Sequence, residues 1–227
     1  MKLALARPLD HPLCRAVAEA GWEPVPYFIT SQEFTHATPP MPLDTISALL
    51  VLSPAAARAV KVWVTKSMDV VVQGEGTEQN LGIEFADSPH LRRPQHPTAE
   101  SLWDMLIRAY PEGGDFVLAR GERSRQFIET TAKNSAWRIH PWITHREVPT
   151  KPEPTLPHAD ALLALSPLQA EYMAGIPGDL LRFAWGERAA KAFKAAGVEV
   201  HGLCEPKKDS LIHLLRTFAP TQEVIEG

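Results

Sequence analysis

Cysteine is nearly missing from this chain of 227 residues, with only Cys14 and Cys204 present. Two unpatterned cysteines exclude a disulfide framework and a thiolate zinc site, and they fit reduced thiols in a cytoplasmic protein. Long apolar runs are missing too, since none approaches the roughly 18 residues of a membrane span. The N-terminal MKLALARPLDHP places an acid and prolines where a signal peptide would hold its apolar run. No excess of positive charge exists either, with net charge −4 and pI near 6.1. That rules out a global basic field for nucleic acid, so any acidic ligand must be held by local donors. Neither a GxGxxG fingerprint nor a GxxxxGK phosphate loop occurs. A Ser-His-Asp triad has no elbow motif to support it, and the nine histidines show no metal spacing on a helix. No metal is expected.

What the chain does have is a repeat. Leu5-Ala6-Arg7 recurs as Leu118-Ala119-Arg120, 113 positions later, and ALLVLSP ending at Pro54 recurs as ALLALSP ending at Pro167 at the same offset. Gly74-Glu75 is answered by Gly186-Glu187 at 112, and ESLWDML from Glu100 by DSLIHLL from Asp209 at 109. Four matches in one order read as a tandem duplication filling the chain. The period is too long for a solenoid and suits two copies of a small α/β unit.

Each half alternates short apolar runs with helical patterns. Strands are expected at 2–6, 23–28, 47–52, 69–73, 116–119, 138–142, 161–165, 181–185 and 198–202. Helices are expected near 11–20, 55–66, 77–81, 99–109, 123–134, 168–173, 188–196 and 210–218. That alternation predicts parallel sheets covered on both faces, hence two doubly wound, flavodoxin-like α/β domains. Among the 21 prolines, the runs at 39–42 and 149–157 are loop-like, and each follows a similar strand, ending FIT and WIT. They read as paired crossings between two lobes, or else as unrelated surface loops.

The motifs with chemistry lie where strands end. Ser53 and Ser166 fit N-caps, with Pro54 and Pro167 at the first helical position. Such turns sit at the carboxyl ends of parallel strands, where open α/β sheets bind ligands, and helix N-termini favour anions. They are either anion sites or plain caps. In VVVQGEGT, Gly74 and Gly76 allow close backbone approach and Thr77 offers a hydroxyl. The second copy, FAWGERAA, keeps Gly186 as a structural turn. Arg7 and Arg120, the latter beside Gly121, end equivalent strands and either clamp a carboxylate or pair with a nearby acid.

In chain order, Arg7-Pro8, Gly21 to Pro26, Ser53–Ala57, Val71–Thr77, Pro97–Leu102, Leu118–Glu122 and Ser166-Pro167 resemble the uroporphyrinogen-III synthase family over almost the whole chain. The resemblance implies two flavodoxin-like lobes joined by a two-stranded linker, with a site in the cleft. One lobe would be residues 1–30 plus 151–227 and the other 38–143, with linkers at 31–37 and 144–150. It also implies cyclisation of hydroxymethylbilane, a linear tetrapyrrole, to uroporphyrinogen III with loss of water, inversion of the last pyrrole ring and no cofactor. A cytoplasmic monomer of tetrapyrrole (haem) biosynthesis, without nucleic-acid or membrane partners, is expected. The acetates and propionates on every ring call for many anion donors, and Arg7, Ser53, Gly74, Gly76, Thr77, Arg120, Gly121, Ser166 and Gly186 are the expected substrate-binding set.

The chain also departs from the family pattern. His145 stands where the family usually has tyrosine, Ala189 replaces the second-turn threonine, and Leu52 precedes the first Ser-Pro. His145 becomes the expected general acid for departure of the hydroxyl. The alternatives are a tetrapyrrole-binding paralogue without activity, or a two-lobed binding protein for another small anion.

Overall fold

A computed structural model describes residues 1–82 and 88–219; the last eight residues of the expected first lobe, 220–227, lie outside them. From the N-terminus, β1 (Lys2–Leu5), α1 (Pro12–Glu19) and β2 (Glu23–Pro26) lead into β3 (Thr30–Phe34). Next come β4 (Ala48–Val51), α2 (Pro54–Val60), β5 (Val70–Val72), α3 (Glu75–Leu81), β6 (Leu91–Arg92) and α4 (Ala99–Ala109). Then follow β7 (Gly114–Gly121), α5 (Phe127–Thr131) and the long β8 (Trp137–Pro149). The chain finishes with β9 (Ala161–Ala164), α6 (Pro167–Ala174), β10 (Leu181–Trp185), α7 (Glu187–Ala195), β11 (Gly202–Cys204) and α8 (Lys208–Phe218). Among the described residues no helix is long and apolar enough to cross a membrane.

Two compact units form, one from Met1–Ser31 with Val148–Gly227 and the other from Gln32–Glu147. In the first, the strands run β2-β1-β9-β10-β11, all parallel. Alternate residues of each strand feed opposite faces, because side chains flip with period two. Leu3, Leu5, Leu163 and Phe183 pack under α1 and α8, while Ala4, Leu162 and Ala184 pack under α6 and α7. The second unit runs β3-β8-β7-β4-β5-β6. There Leu49, Val51 and Val117 meet α2 and α3, and Leu50, Phe116 and Leu118 meet α4 and α5. Each fully buried Leu or Phe contributes about 1.5–3 kcal/mol from its removal from water.

The repeat and the topology fit together. The LAR strands are β1 and β7, the Ser-Pro strands β4 and β9, and the glycine-ended strands β5 and β10. Matched this way, both five-strand parallel orders read 2-1-3-4-5, the flavodoxin order. In chain order the second unit instead reads 3-2-1-4-5, because its last two strands come from the second copy. Each copy therefore gives two strands to one parallel order and three to the other, and the first copy adds the antiparallel β3.

Several boundaries differ from expectation. Helix α2 stops at Val60, short of the expected 66, because Val62, Trp63 and Val64 follow and β-branched and aromatic residues are weak helix formers. Helix α5 keeps only five residues of the expected 123–134. Strand β8 runs to Pro149, far beyond Trp142, because β3 covers its outer edge. The hydrogen bonds from Thr35 N to Thr144 O (3.1 Å) and from Thr150 N to Ile29 O (3.0 Å) make that pair antiparallel. The units meet along the chain at Ser31/Gln32 and Glu147/Val148, so the proline runs at 39–42 and 149–157 follow the crossings rather than forming them.

Candidate functional site

In the second unit the parallel register of β7 and β8 slips at Arg120/Gly121, which pair with Ile143 and His145 and leave Thr144 as an extra residue. A bulge re-aims side chains, and here Thr144 and His145 are both buried although adjacent in the strand. The Thr144 hydroxyl donates to Arg120 O at 3.3 Å and lies 3.0 Å from His145 Nδ1. The hydroxyl can act as donor or acceptor toward Nδ1, so this contact holds the ring in place in either neutral tautomer. Gly121 makes room for that ring, since a Cβ there would lie 2.8 Å from His145 Nε2.

Burial, reinforced by the charge of Arg58, holds the His145 imidazole below its ordinary value of 6.5. Burial disfavours the charged ring and a nearby cation repels it. The unfolded chain therefore takes up this proton before the folded one. Stability from this group is complete above about 6.5 and is lost as pH falls through the window between that value and the lower folded one. Denaturation of the wild type and of His145→Gln at pH 7.5 and 5.5 checks this, with the wild type expected to lose more. Equal losses would remove His145 from the account.

Arg120 ends β7 with its side chain nearly enclosed. Its Nε donates to Glu129 Oε1 at 2.6 Å, and Nη1 donates to Gly121 O at 2.9 Å and Glu122 O at 3.3 Å. The expected carboxylate clamp is thus an internal ion pair that anchors α5 to the end of β7. Glu129 was not visible as a partner from sequence, because only the fold returns α5 onto the strand.

At the neighbouring strand ends, Ser53 Oγ accepts from Ala56 N at 3.1 Å and caps α2. Gly74 opens α3 with extended backbone, and a Cβ there would meet Pro97 Cβ at 3.0 Å. Gly76 faces Pro54 and Thr77 is buried, so the two turns of this half lie against each other.

In the first unit Arg7 follows β1, and its Nη1 donates to Ala6 O at 2.8 Å. Ser166 Oγ accepts from Gln169 N at 3.2 Å and caps α6. Gln169 was missed from sequence although Ser166-x-x-Gln169 has capping-box spacing. It is buried, accepts from Leu165 N at 2.9 Å and donates to Thr30 Oγ1 at 3.1 Å. Gly186 has φ +92, where only glycine is relaxed, which explains why the decayed GERA turn keeps it.

These two units, in this strand order, match solved structures along nearly their full length. One is a uroporphyrinogen-III synthetase from Helicobacter pylori, with a TM-score of 0.66, 10% identity, and 96% of this chain and 99% of that chain covered. The chain has the uroporphyrinogen-III synthase fold. A mutant uroporphyrinogen III synthase from Thermus thermophilus is also similar, with a TM-score of 0.52, 16% identity, and 96% and 97% covered. No family model and no curated protein sequence matches the chain. The uroporphyrinogen-III synthase fold puts the residues flagged from sequence at the carboxyl ends of parallel strands within each unit, the end at which open α/β sheets take ligands.

Proposed function

We propose that the protein is a uroporphyrinogen-III synthase, a lyase of tetrapyrrole (haem) biosynthesis that closes hydroxymethylbilane with loss of water and inversion of the last ring. The observation that carries this reading is the shared fold over 96% of the chain, joined to the ordered motifs at its strand ends. The substrate-binding set is read here as Arg7, Ser53, Gly74, Gly76, Thr77, Gly121, Ser166 and Gly186. Arg120 leaves that set for a positioning role, because its guanidinium is spent on Glu129 and on backbone carbonyls.

Closure with inversion needs one C–O and one C–C bond broken, two C–C bonds made and protons moved. The hydroxymethyl oxygen leaves as water after gaining a proton, and the azafulvene cation left behind is attacked by the substituted α-carbon of the far pyrrole ring. The bond from that carbon to its original bridge then breaks, leaving a second azafulvene that the ring's free α-carbon attacks. The rearranged ring then loses a proton. The His145 imidazole, kept neutral by burial and the charge of Arg58, is suited to accept that last proton, a role set here beside that of the acid first expected. Which ring carbon attacks is set by the conformer held, a matter of positioning rather than of a strong catalyst.

Incubation with hydroxymethylbilane, oxidation and separation of the porphyrin isomers is the test. Type III is the expected product, and type I alone, the isomer of unassisted closure, would sink the reading and leave a tetrapyrrole binder or another small-anion protein. In the His145→Phe variant type III should form about 10²-fold more slowly, the scale of one general-base contribution. An unchanged rate would remove the imidazole from the chemistry.

A further inference from the structure

Within the second unit, β3, the end of α2 and β8 enclose a cavity of about 420 Å³. Ligand pockets run from about 300 to 1,000 Å³, so this one suits a single substituted ring. Its walls are aromatic, with Phe34 and the edge-to-face pair Trp63 and Trp142, whose centroids are 6.1 Å apart. Its rim holds Arg58 and Lys61. Trp63 remains 42% exposed and Val62 79%, an apolar surface next to two cations that burial in the fold does not explain.

The two cations are kept without neutralisation. Arg58 Nη1 donates to Asn80 Oδ1 at 2.9 Å and Nη2 to Gln32 Oε1 at 3.3 Å. Neutral amides orient the guanidinium and leave its charge intact. Neither Arg58 nor Lys61 has an acidic partner among the described residues. Their place at the carboxyl end of α2 favours positive charge, so the fold holds them cheaply. Trp63 also lines a larger cavity of about 940 Å³, where the charged lining is Asp44 and Asp69 with no Lys or Arg. A carboxylate meets no Lys or Arg in that lining, whereas the smaller cavity offers Arg58 and Lys61.

We propose that the smaller cavity is a subsite for one carboxylate-bearing pyrrole ring, with its acid groups at Arg58 and Lys61 and its face against Trp63 and Trp142. The assignment rests on the synthase reading for the identity of the ring. The site adjoins the candidate chemistry, because Thr144 lines the cavity and is bonded to His145. Arg58 offers a planar two-donor fork for a carboxylate, and an electron-rich pyrrole stacks on indole beside a cation.

The probe is a monopyrrole carrying one acetate and one propionate, compared with its dimethyl ester. The readout is the indole N–H resonances of Trp63 and Trp142. Saturable shifts are expected with the diacid, with binding at least about tenfold weaker for the ester and for Arg58→Gln/Lys61→Gln, a loss of one good ionic contact. With hydroxymethylbilane at about pH 7.5, where burial alone keeps His145 neutral, the same variant should raise KM about tenfold and leave kcat within about twofold, the signature of lost uniform binding. No shift with the diacid, or equal binding by the ester or by the variant, would overturn the subsite. Type I product alone with diacid binding intact would sink the synthase reading and leave the subsite standing. Type III product with unchanged KM in the variant would do the reverse.

Discussion

Arg120→Ala is expected to destabilise the second unit by about 3–5 kcal/mol, the range for removing one partner of a buried ion pair. The guanidinium is 6% exposed and the Glu129 carboxylate 18%, so the remaining charge would be left with little water. Glu129 Oε2 already has no partner among the described residues, which makes Arg120 the main compensation for that acid. Arg120→Met with Glu129→Leu should recover most of the loss, since apolar pairs of similar volume often replace buried ion pairs without cost. Urea denaturation of the wild type and the two variants gives the comparison. A loss below about 1 kcal/mol in Arg120→Ala would show the pair to be solvated and surface-like.

Phe183→Ala should cost the first unit about 3–5 kcal/mol, as expected for a large aromatic removed from a closed core. Phe183 is wholly buried on β10 and meets Trp22 edge-on at 6.0 Å and Phe218 at 5.0 Å. Its loss leaves a void between α8 and the sheet, where Trp22 Nε1 also donates to Leu215 O at 3.0 Å. Near-UV circular dichroism should lose the Trp22 signal along with stability. Phe183→Leu, which keeps part of the volume, should lose less, and equal losses would mean that the site collapses freely around the smaller residue.

How much of this was legible in the sequence follows from where the energy comes from. ALLV and ALLA are buried on both faces and run into Ser-Pro caps, so composition and capping chemistry agree and β4 and β9 could be read directly. Strand β3, TSQEF, has three exposed residues and exists because β8 offers it an edge, which no local pattern announces. The same holds for the two-residue β6. At the site, position alone singled out His145, but its surroundings depend on a register slip between strands some twenty residues apart. The two LAR copies show the limit well. Arg120 meets Glu129, while the residue at the corresponding offset from Arg7 is the buried Ala16, so identical tripeptides acquire different duties from a partner that the tripeptide does not contain.

The crossed strand contributions of the two copies also set what can be taken apart. A gene cut at its midpoint would encode two fragments, each carrying a strand pair for one parallel order and a strand trio for the other. Neither fragment closes a sheet from its own residues, so recovery of the protein would require complementation, with each piece lending its pair to the other. One copy alone would have to borrow from a twin, which is strand exchange in a homodimer. The internal repeat has the strand arrangement that joining two such partners end to end would give.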